Sequence, residues 1–434
     1  MYQKKSSIRW IASGTVVALG ILCAVGLLGH AAQAQTFTVL HNFTGGPDGS
    51  LPTAALTLDR AGNVYGTASL GGSTNCSHDQ LIGCGTAFKL SHHGSGWTFS
   101  VLYTFTGGSD GQHPETPVVF GTDGNLYGTT REGGTNGCFG MGCGTVFKLQ
   151  LQPTVCKSVS CPWRKTKLYQ FTGGSDGGYP EAASLTFDQA GNIYGTTQYT
   201  GGSPSATVYE LSPSTGGWTF TILFAFTNDS EAATPEGGVV FDANGNLWGT
   251  AYFGGINDCG NPQLPSSCGI VFELIHSGSG WTENTAFQFH RSVGGNPAGK
   301  LIFDQSGNIY GAVGEDGSGG AGGVYQLIPS SGGLTVLHAF SGQEVSGPRD
   351  GVVMDAAGNL YGTTLSNGAH GYGSVFKLSP SGGGWIFTSL HDFTAGSDGA
   401  FPYAKVILDS AGNLYGSTGG GGTDRNGVVF EITP

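Results

Sequence analysis

The chain has 434 residues, 80 of them Gly, with 11% charged and a formal net charge of −12. Glycine at this level without a three-residue period excludes collagen, and 38% apolar residues, with 25 Phe and 16 Tyr, exclude a disordered glycine-rich chain. The acidic balance argues against nucleic acid, whose phosphates need Lys and Arg, and against electrostatic docking on anionic lipid.

Residues 1–34 read as a cleavable signal peptide. Lys4, Lys5 and Arg9 give a positive start, residues 11–29 are apolar, and Ala32-Gln33-Ala34 is a small-x-small cleavage site. Cleavage after Ala34 removes three basic residues and no acidic one, so the mature net charge moves from −12 to −15. No later stretch is long and apolar enough to span a bilayer. The expected location is secreted or periplasmic, with one domain over 35–434. Eight Cys remain, in local pairs: Cys76 with Cys84, Cys138 with Cys143, Cys156 with Cys161 and Cys259 with Cys268. An even count in an exported chain predicts disulfides rather than a metal site.

One motif, Gly-Asn-apolar-aromatic-Gly, recurs seven times, first at Gly62-Asn63-Val64-Tyr65-Gly66 and last over 412–416, at spacings of 51 to 67 residues. Such a period marks a solenoid, array or propeller. Each copy divides into four short strands, rich in β-branched and aromatic residues and bounded by Gly. Strand A is expected to begin at a Pro (Pro52, Pro114, Pro180, Pro235, Pro297, Pro348, Pro402), where the missing N–H is tolerated. Seven residues on comes an Asp, as at Asp59 and Asp304, which opens a tight Asp-x-x-Gly-Asn turn. In the third repeat Asp188 comes eight on, predicting a bulge, and in the second repeat the position is Gly121. Strand B carries Gly-Thr-Thr, strand C reads Thr-Val-Phe-Lys-Leu, and strand D runs from a Trp to a Phe eight residues later, as at Trp97 and Phe105.

The two ends are complementary. The mature chain opens with a D strand, because Gln35 and Phe43 align with Trp97 and Phe105. It closes on a C strand near Val428. The fold predicted is therefore all-β: a seven-bladed β-propeller with four antiparallel strands per blade, its ring closed by the N-terminal strand pairing into the last blade.

The ordered segments Pro-x-x-x-apolar-x-x-Asp-x-x-Gly-Asn-Leu-Tyr-Gly-Thr-Thr, Gly-Thr-Val-Phe-Lys-Leu and Phe-Thr-Gly-Gly-Ser-Asp-Gly resemble the GloVer tandem-repeat proteins of bacteria over nearly the whole mature chain. Strands A and B are also similar to NHL-type propeller repeats. The resemblance implies an exported repeat protein and assigns no activity.

Charge breaks the repeat just after the strand-A prolines. Glu115, Glu181 and Glu236 follow three consecutive prolines. Lys300, Arg349 and Lys405 stand at or two places beyond that position in the next three repeats. Since strand A is innermost, these residues predict a channel mouth with an acidic half and a basic half, suited to a polar or zwitterionic small molecule. The alternative is that these charges are solvated or paired with one another. Neither a metal nor a cofactor is expected. One Asp per D–A loop falls short of the oxygens Ca²⁺ takes, and its simpler role is capping a Gly turn. The chain has no nucleophile elbow and no His-Glu-x-x-His. His41, His338 and His391 share a strand-D position with Tyr103 and Tyr169, which points to packing. The leading expectation is a secreted, non-enzymatic binding or scaffold module for glycan or cell-envelope ligands. The alternatives are an enzyme at the channel mouth, like the lyases and lactonases among similar propellers, and a purely structural envelope protein.

Overall fold

A computed structural model describes residues 35–78, 81–94, 96–134, 136–151, 163–180, 184–198, 206–226, 234–255, 267–278, 280–290, 293–315, 322–340 and 347–434. Seven four-stranded antiparallel sheets are present, with a two-stranded hairpin at 77–82 in the first B–C loop. Each sheet runs A-B-C-D from one edge to the other and forms one blade. The seventh borrows its outer strand: Thr36–Asn42 pairs with Val428–Thr433, Val39 opposite Phe430, and Phe43 N–H extends the seam to Gly427 O at 3.1 Å. The ring is closed as the complementary ends predicted.

The apolar core is divided among the blade junctions. Seven buried clusters each join two neighbouring blades; the closing one combines Phe43, Tyr415 and Val429 with Leu56, Val64 and Phe88. The second Gly of the repeated motif is fixed by this packing. A Cβ on Gly66 would lie 2.5 Å from Phe88 Cζ, and one on Gly416 2.4 Å from Phe430 Cζ, because the strand-C ring lies flat on that glycine. The strand-D Trp residues reach the Tyr of the preceding blade, as in Trp97 with Tyr415 and Trp218 with Tyr127.

Strand A differs from its expectation. Its paired part is two or three residues long in six blades and begins well past the proline: Thr57–Leu58 after Pro52, Val119–Phe120 after Pro114, Ile407–Leu408 after Pro402. Among the described residues only blade 5 has a long strand there, Gly295–Phe303. The proline is a junction contact rather than a strand start. The residue before it is left-handed in five blades (φ 54° at Leu51 and His113, 57° at Asn296), which aims its N–H at the preceding blade. His113 N donates to Cys84 O, Tyr179 N to Cys143 O and Asn296 N to Cys268 O. The proline ring then fills the space over the next glycine: a Cβ on Gly85 would lie 2.4 Å from Pro114 Cδ.

The stretch between the proline and the paired residues satisfies its carbonyls through hydroxyls of the preceding blade. Thr67 Oγ1 donates to Thr116 O (3.0 Å), Thr129 to Pro180 O (2.6 Å), Thr196 to Pro235 O (3.0 Å), Thr363 to Ala404 O (2.9 Å) and, across the closure, Ser417 to Ala54 O (3.2 Å). That is the physical content of the Gly-Thr-Thr signature. A buried carbonyl near the axis has no strand to pair with, and an unmade hydrogen bond there is expensive.

Two further features were not foreseen. Strand D is bulged in every blade, so that one residue is skipped opposite strand C: Leu40, Leu102, Leu168 and their counterparts. The bulge turns that residue into the junction core. In blade 2 the turn aspartate has moved. Gly121 leaves room for the Tyr127 ring, and Asp123 accepts from Asn125 N, Asn125 Nδ2 and Tyr127 OH at 2.7–3.0 Å, the same donors that Asp59 holds in blade 1. The extra residue of blade 3 does not bulge the described ladder, since Thr186 faces Tyr194 as Thr57 faces Tyr65. It lies between Pro180 and Ser184, and residues 181–183 fall outside the described part.

Disulfides join Cys76 to Cys84 and Cys138 to Cys143, with Cα atoms 5.0 and 5.2 Å apart. Cys268 is also disulfide-bonded. Its expected partner Cys259 lies outside the described residues. The bridge expected between Cys156 and Cys161 falls outside them as well, since neither Cys156 nor Cys161 belongs to the described part. Each observed second cysteine carries the carbonyl that receives the next blade, so the bridges brace the junction loops.

Candidate ligand-binding cavity on the propeller axis

A cavity of about 550 Å³ lies where the strand-A segments of all seven blades converge. Of the six charged residues predicted at the mouth, five line it: Glu115, Glu236, Lys300, Arg349 and Lys405. Glu181 lies outside the described residues.

The acidic and basic halves are less pure than expected. Glu115 faces Arg131, with Nη1 and Oε1 3.7 Å apart, and Arg131 itself lines the cavity. Lys405 Nζ lies 3.2 Å from Asp350 Oδ1, while the Asp350 carboxylate also accepts from Lys405 N (3.2 Å) and Gly351 N (2.6 Å). Sequence reasoning missed both partners. Arg131 comes directly after the Gly-Thr-Thr that ends strand B of blade 2, away from the strand-A positions that carry the charge pattern. Asp350 sits between Arg349 and Gly351, where strand alternation would send it away from the axis. The segment is not a strand, so the alternation fails and consecutive residues face inward.

Burial sets the protonation of the walls. Burial pushes the Glu236 carboxyl up to about 7, and the charge of Arg349 only partly offsets it. Burial pushes the Lys300 amine down to about 7, helped by the Lys405 charge and opposed by Asp350. Lys300 is part-exposed, and the space it faces is the cavity it lines. From blade 5 its Nζ reaches past blade 4 to blade 3, donating to Thr186 Oγ1 (2.6 Å) and Leu185 O (3.3 Å). Burial also opposes ionisation of Asp350, but Lys405 and two backbone N–H groups hold its carboxyl below the usual range. The described lining therefore carries four basic side chains against three acidic ones, with one of each, Lys300 and Glu236, half-neutral near pH 7.

Beside Arg131, the buried Glu132 takes hydrogen bonds from Gln112 Nε2 (3.0 Å) and His113 Nδ1 (3.1 Å) and braces the rim. The strand-D histidines His41, His338 and His391 pack between blades. His41 stacks on Phe99 at 3.7 Å and His391 on Phe37 at 3.8 Å, and each ring bonds a D–A loop aspartate, Asp48 or Asp398, at 3.1 Å. Those aspartates also accept from Thr44 N and Thr394 N, which is the loop-capping role expected of them. Among the described residues no three His, Cys, Asp or Glu side chains gather as a metal site, and no helix is long and apolar enough to cross a membrane.

These features define a seven-bladed β-propeller with a ligand-sized polar cavity on its axis. The Gloeobacter/Verrucomicrobia repeat matches residues 30–262 and again 261–434, and the chain belongs to that family. No match was found among curated proteins. Solved structures share the fold at low identity. An ulvan lyase of polysaccharide lyase family PL25, bound to a GlcA-containing saccharide, aligns over 91% of this chain and 95% of its own at 11% identity and TM-score 0.53. The polysaccharide lyase Uly1 aligns over 87% and 89% at 13% identity and TM-score 0.51. The periplasmic gluconolactonase of Pseudomonas aeruginosa aligns over 78% and 84% at 13% identity and TM-score 0.48.

Proposed function

We propose that the protein is an exported, non-enzymatic binding module whose axial cavity holds a small polar molecule bearing an anionic group. The observation that carries this reading is the cavity itself. At about 550 Å³ it has the size of a small-molecule site, and its walls are charged. Among the described lining residues basic groups outnumber acidic ones by one, and at pH 6 Lys300 and Glu236 are both mostly protonated, which favours an anion over a cation. Export rests on the signal-peptide pattern of residues 1–34 and is supported by the disulfides, which persist in oxidising compartments. Sequencing the amino terminus of protein recovered outside the cytoplasm should read from Gln35.

The binding test is calorimetric titration with galacturonate at pH 6. Binding is expected, with Lys300→Met and Arg349→Gln each weakening it roughly tenfold or more, the scale of a charge-assisted hydrogen bond. Absence of binding by the wild-type protein overturns the reading.

One observation favours a second reading, an enzyme of lyase or lactonase type. Glu236 and Lys300 both titrate near neutrality in one cavity, as catalytic acids and bases do. Turnover of a uronate polysaccharide or a sugar lactone, lost in both Glu236→Gln and Lys300→Met, would replace binding with catalysis.

A further inference from the structure

Around the cavity, equivalent rim positions carry different side chains. The residue whose N–H bonds the carbonyl just before the strand-A proline is Ser69 in blade 1, Arg131 in blade 2, Tyr252 in blade 4 and Leu365 in blade 6. In blade 7 it is Gly419, followed by Gly420, Gly421 and Gly422. The rim is therefore notched at blade 7, and aromatic rings rest in the notch. A Cβ on Gly419 would lie 2.9 Å from Tyr403 Cε2, and one on Gly420 3.3 Å from Phe401 Cδ2. The rings pack on bare backbone and stay accessible: Tyr403 is 41% exposed and Phe401 36%. Tyr372 of blade 6, 38% exposed, lies next to Phe401, the two rings meeting edge-on at 5.8 Å with their planes 72° apart. Tyr403 also lines the cavity, together with Lys405 of its own blade and Arg349 of the adjacent one.

We infer that this notch is a carbohydrate subsite, over which an acidic oligosaccharide lies on Tyr372, Phe401 and Tyr403 while its terminal uronate enters the cavity toward Arg349 and Lys405. The inference rests on the cavity reading above and names its ligand class. Sugar rings offer apolar C–H faces to aromatic side chains and hydroxyls at their edges, and a uronate adds the carboxylate that the cationic wall matches. A protein partner fits less well. Three part-exposed rings fall far short of the roughly 1,600 Å² that a stable protein interface buries.

Galacturonate and its tetramer separate the subsite from the cavity. The wild-type protein should bind the tetramer about tenfold or more tighter than the monomer, since each aromatic contact contributes on the scale of a few-fold to tenfold. The double variant Tyr372→Ala/Phe401→Ala, which replaces no cavity-lining residue, should lose that gain and keep monomer affinity. Retained monomer binding also shows that the variant is folded. Gly419→Ala, whose methyl collides with the Tyr403 ring, should weaken tetramer binding independently. Equal affinity for monomer and tetramer, or a gain that survives the double variant, overturns the subsite and leaves the cavity reading standing. Failure of both sugars to bind overturns both.

Discussion

The seven junctions and the cavity they enclose are built from the same strand-A segments, yet they obey opposite rules. At the junctions the chemistry repeats: a left-handed residue, a proline on a glycine, a threonine hydroxyl on a carbonyl, a ring on Gly66 or its equivalent. Inside, the equivalent position after the proline carries Thr53, Glu115, Glu236, Arg349 and Tyr403 among the described wall residues. A ring closes only if all its contacts fit at once, so junction residues are held to one solution. A wall residue facing open space is held to nothing by packing, so its variation carries chemistry.

The largest effects should come from breaking a junction. Phe43 and Phe226 are both fully buried at the same place in their blades, but Phe43 sits on the borrowed strand. Phe43→Ala and Phe226→Ala should each cost about 3–5 kcal/mol in denaturant unfolding, the usual range for emptying a buried Phe. If Phe43→Ala costs less than half as much as Phe226→Ala, the closing seam is not a junction like the others.

The wall should answer in the opposite direction. Lys300 has its amine pushed down to about 7, so folding disfavours its charge. That penalty is full below about pH 7 and fades as pH rises toward the usual lysine range. Lys300→Met should therefore stabilise the fold by ~1–3 kcal/mol at pH 6, as apolar replacement of buried charge often does, with less gain at pH 10. Binding of an anion should weaken roughly tenfold or more in the same variant. A destabilised Lys300→Met would place Lys300 with the junction residues. In the wild-type protein, rising pH takes a positive charge from Lys300 and adds a negative one at Glu236. Galacturonate should thus bind at least about tenfold more weakly at pH 8 than at pH 6, since each of the two proton-linked groups contributes up to about tenfold over this span.

This division also explains what was legible in the sequence. Blade number, strand order and closure could be read because junction residues recur, and recurrence is visible in one chain. The bulge in strand D was not legible, because the skipped Leu40 or Leu102 looks like any apolar strand residue and only the register against strand C reveals it. Asp123 was not legible as the stand-in for an aspartate at 121, because a side chain reaching the same donors from two residues away leaves no gap in the pattern. The wall was half legible: five of the predicted residues line it, but Asp350 and Arg131 were missed for want of the backbone path. Nothing in the sequence marks the rim glycines Gly419 and Gly420 as the backbone on which Tyr403 and Phe401 rest.

Smaller tests probe single junction contacts. Thr363 is buried and donates to Ala404 O at 2.9 Å, so Thr363→Val should cost about 1 kcal/mol, the usual net value of such a bond. Blade 5 has Ala312 at that position and lives without the hydroxyl. If Thr363→Val is neutral, the other junctions can do so too, and the Gly-Thr-Thr signature reflects packing alone.

The smallest effect separates the turn aspartates from the wall. Burial pushes these carboxyls up, but hydrogen bonds from Asn and Tyr overcome it at Asp59, Asp304 and Asp355, and the Lys148 ammonium adds to them at Asp123, held at about 2. Folding thus favours their ionised forms. Their contribution is present above the ordinary carboxyl range and is lost as pH falls through the depressed values. The melting temperature should decline between about pH 4 and pH 2, and in Asp123→Asn the decline should be shallower, since one of the groups that must be protonated is gone. An unchanged slope in that variant would mean that Asp123 shapes the turn through its geometry and not through its charge.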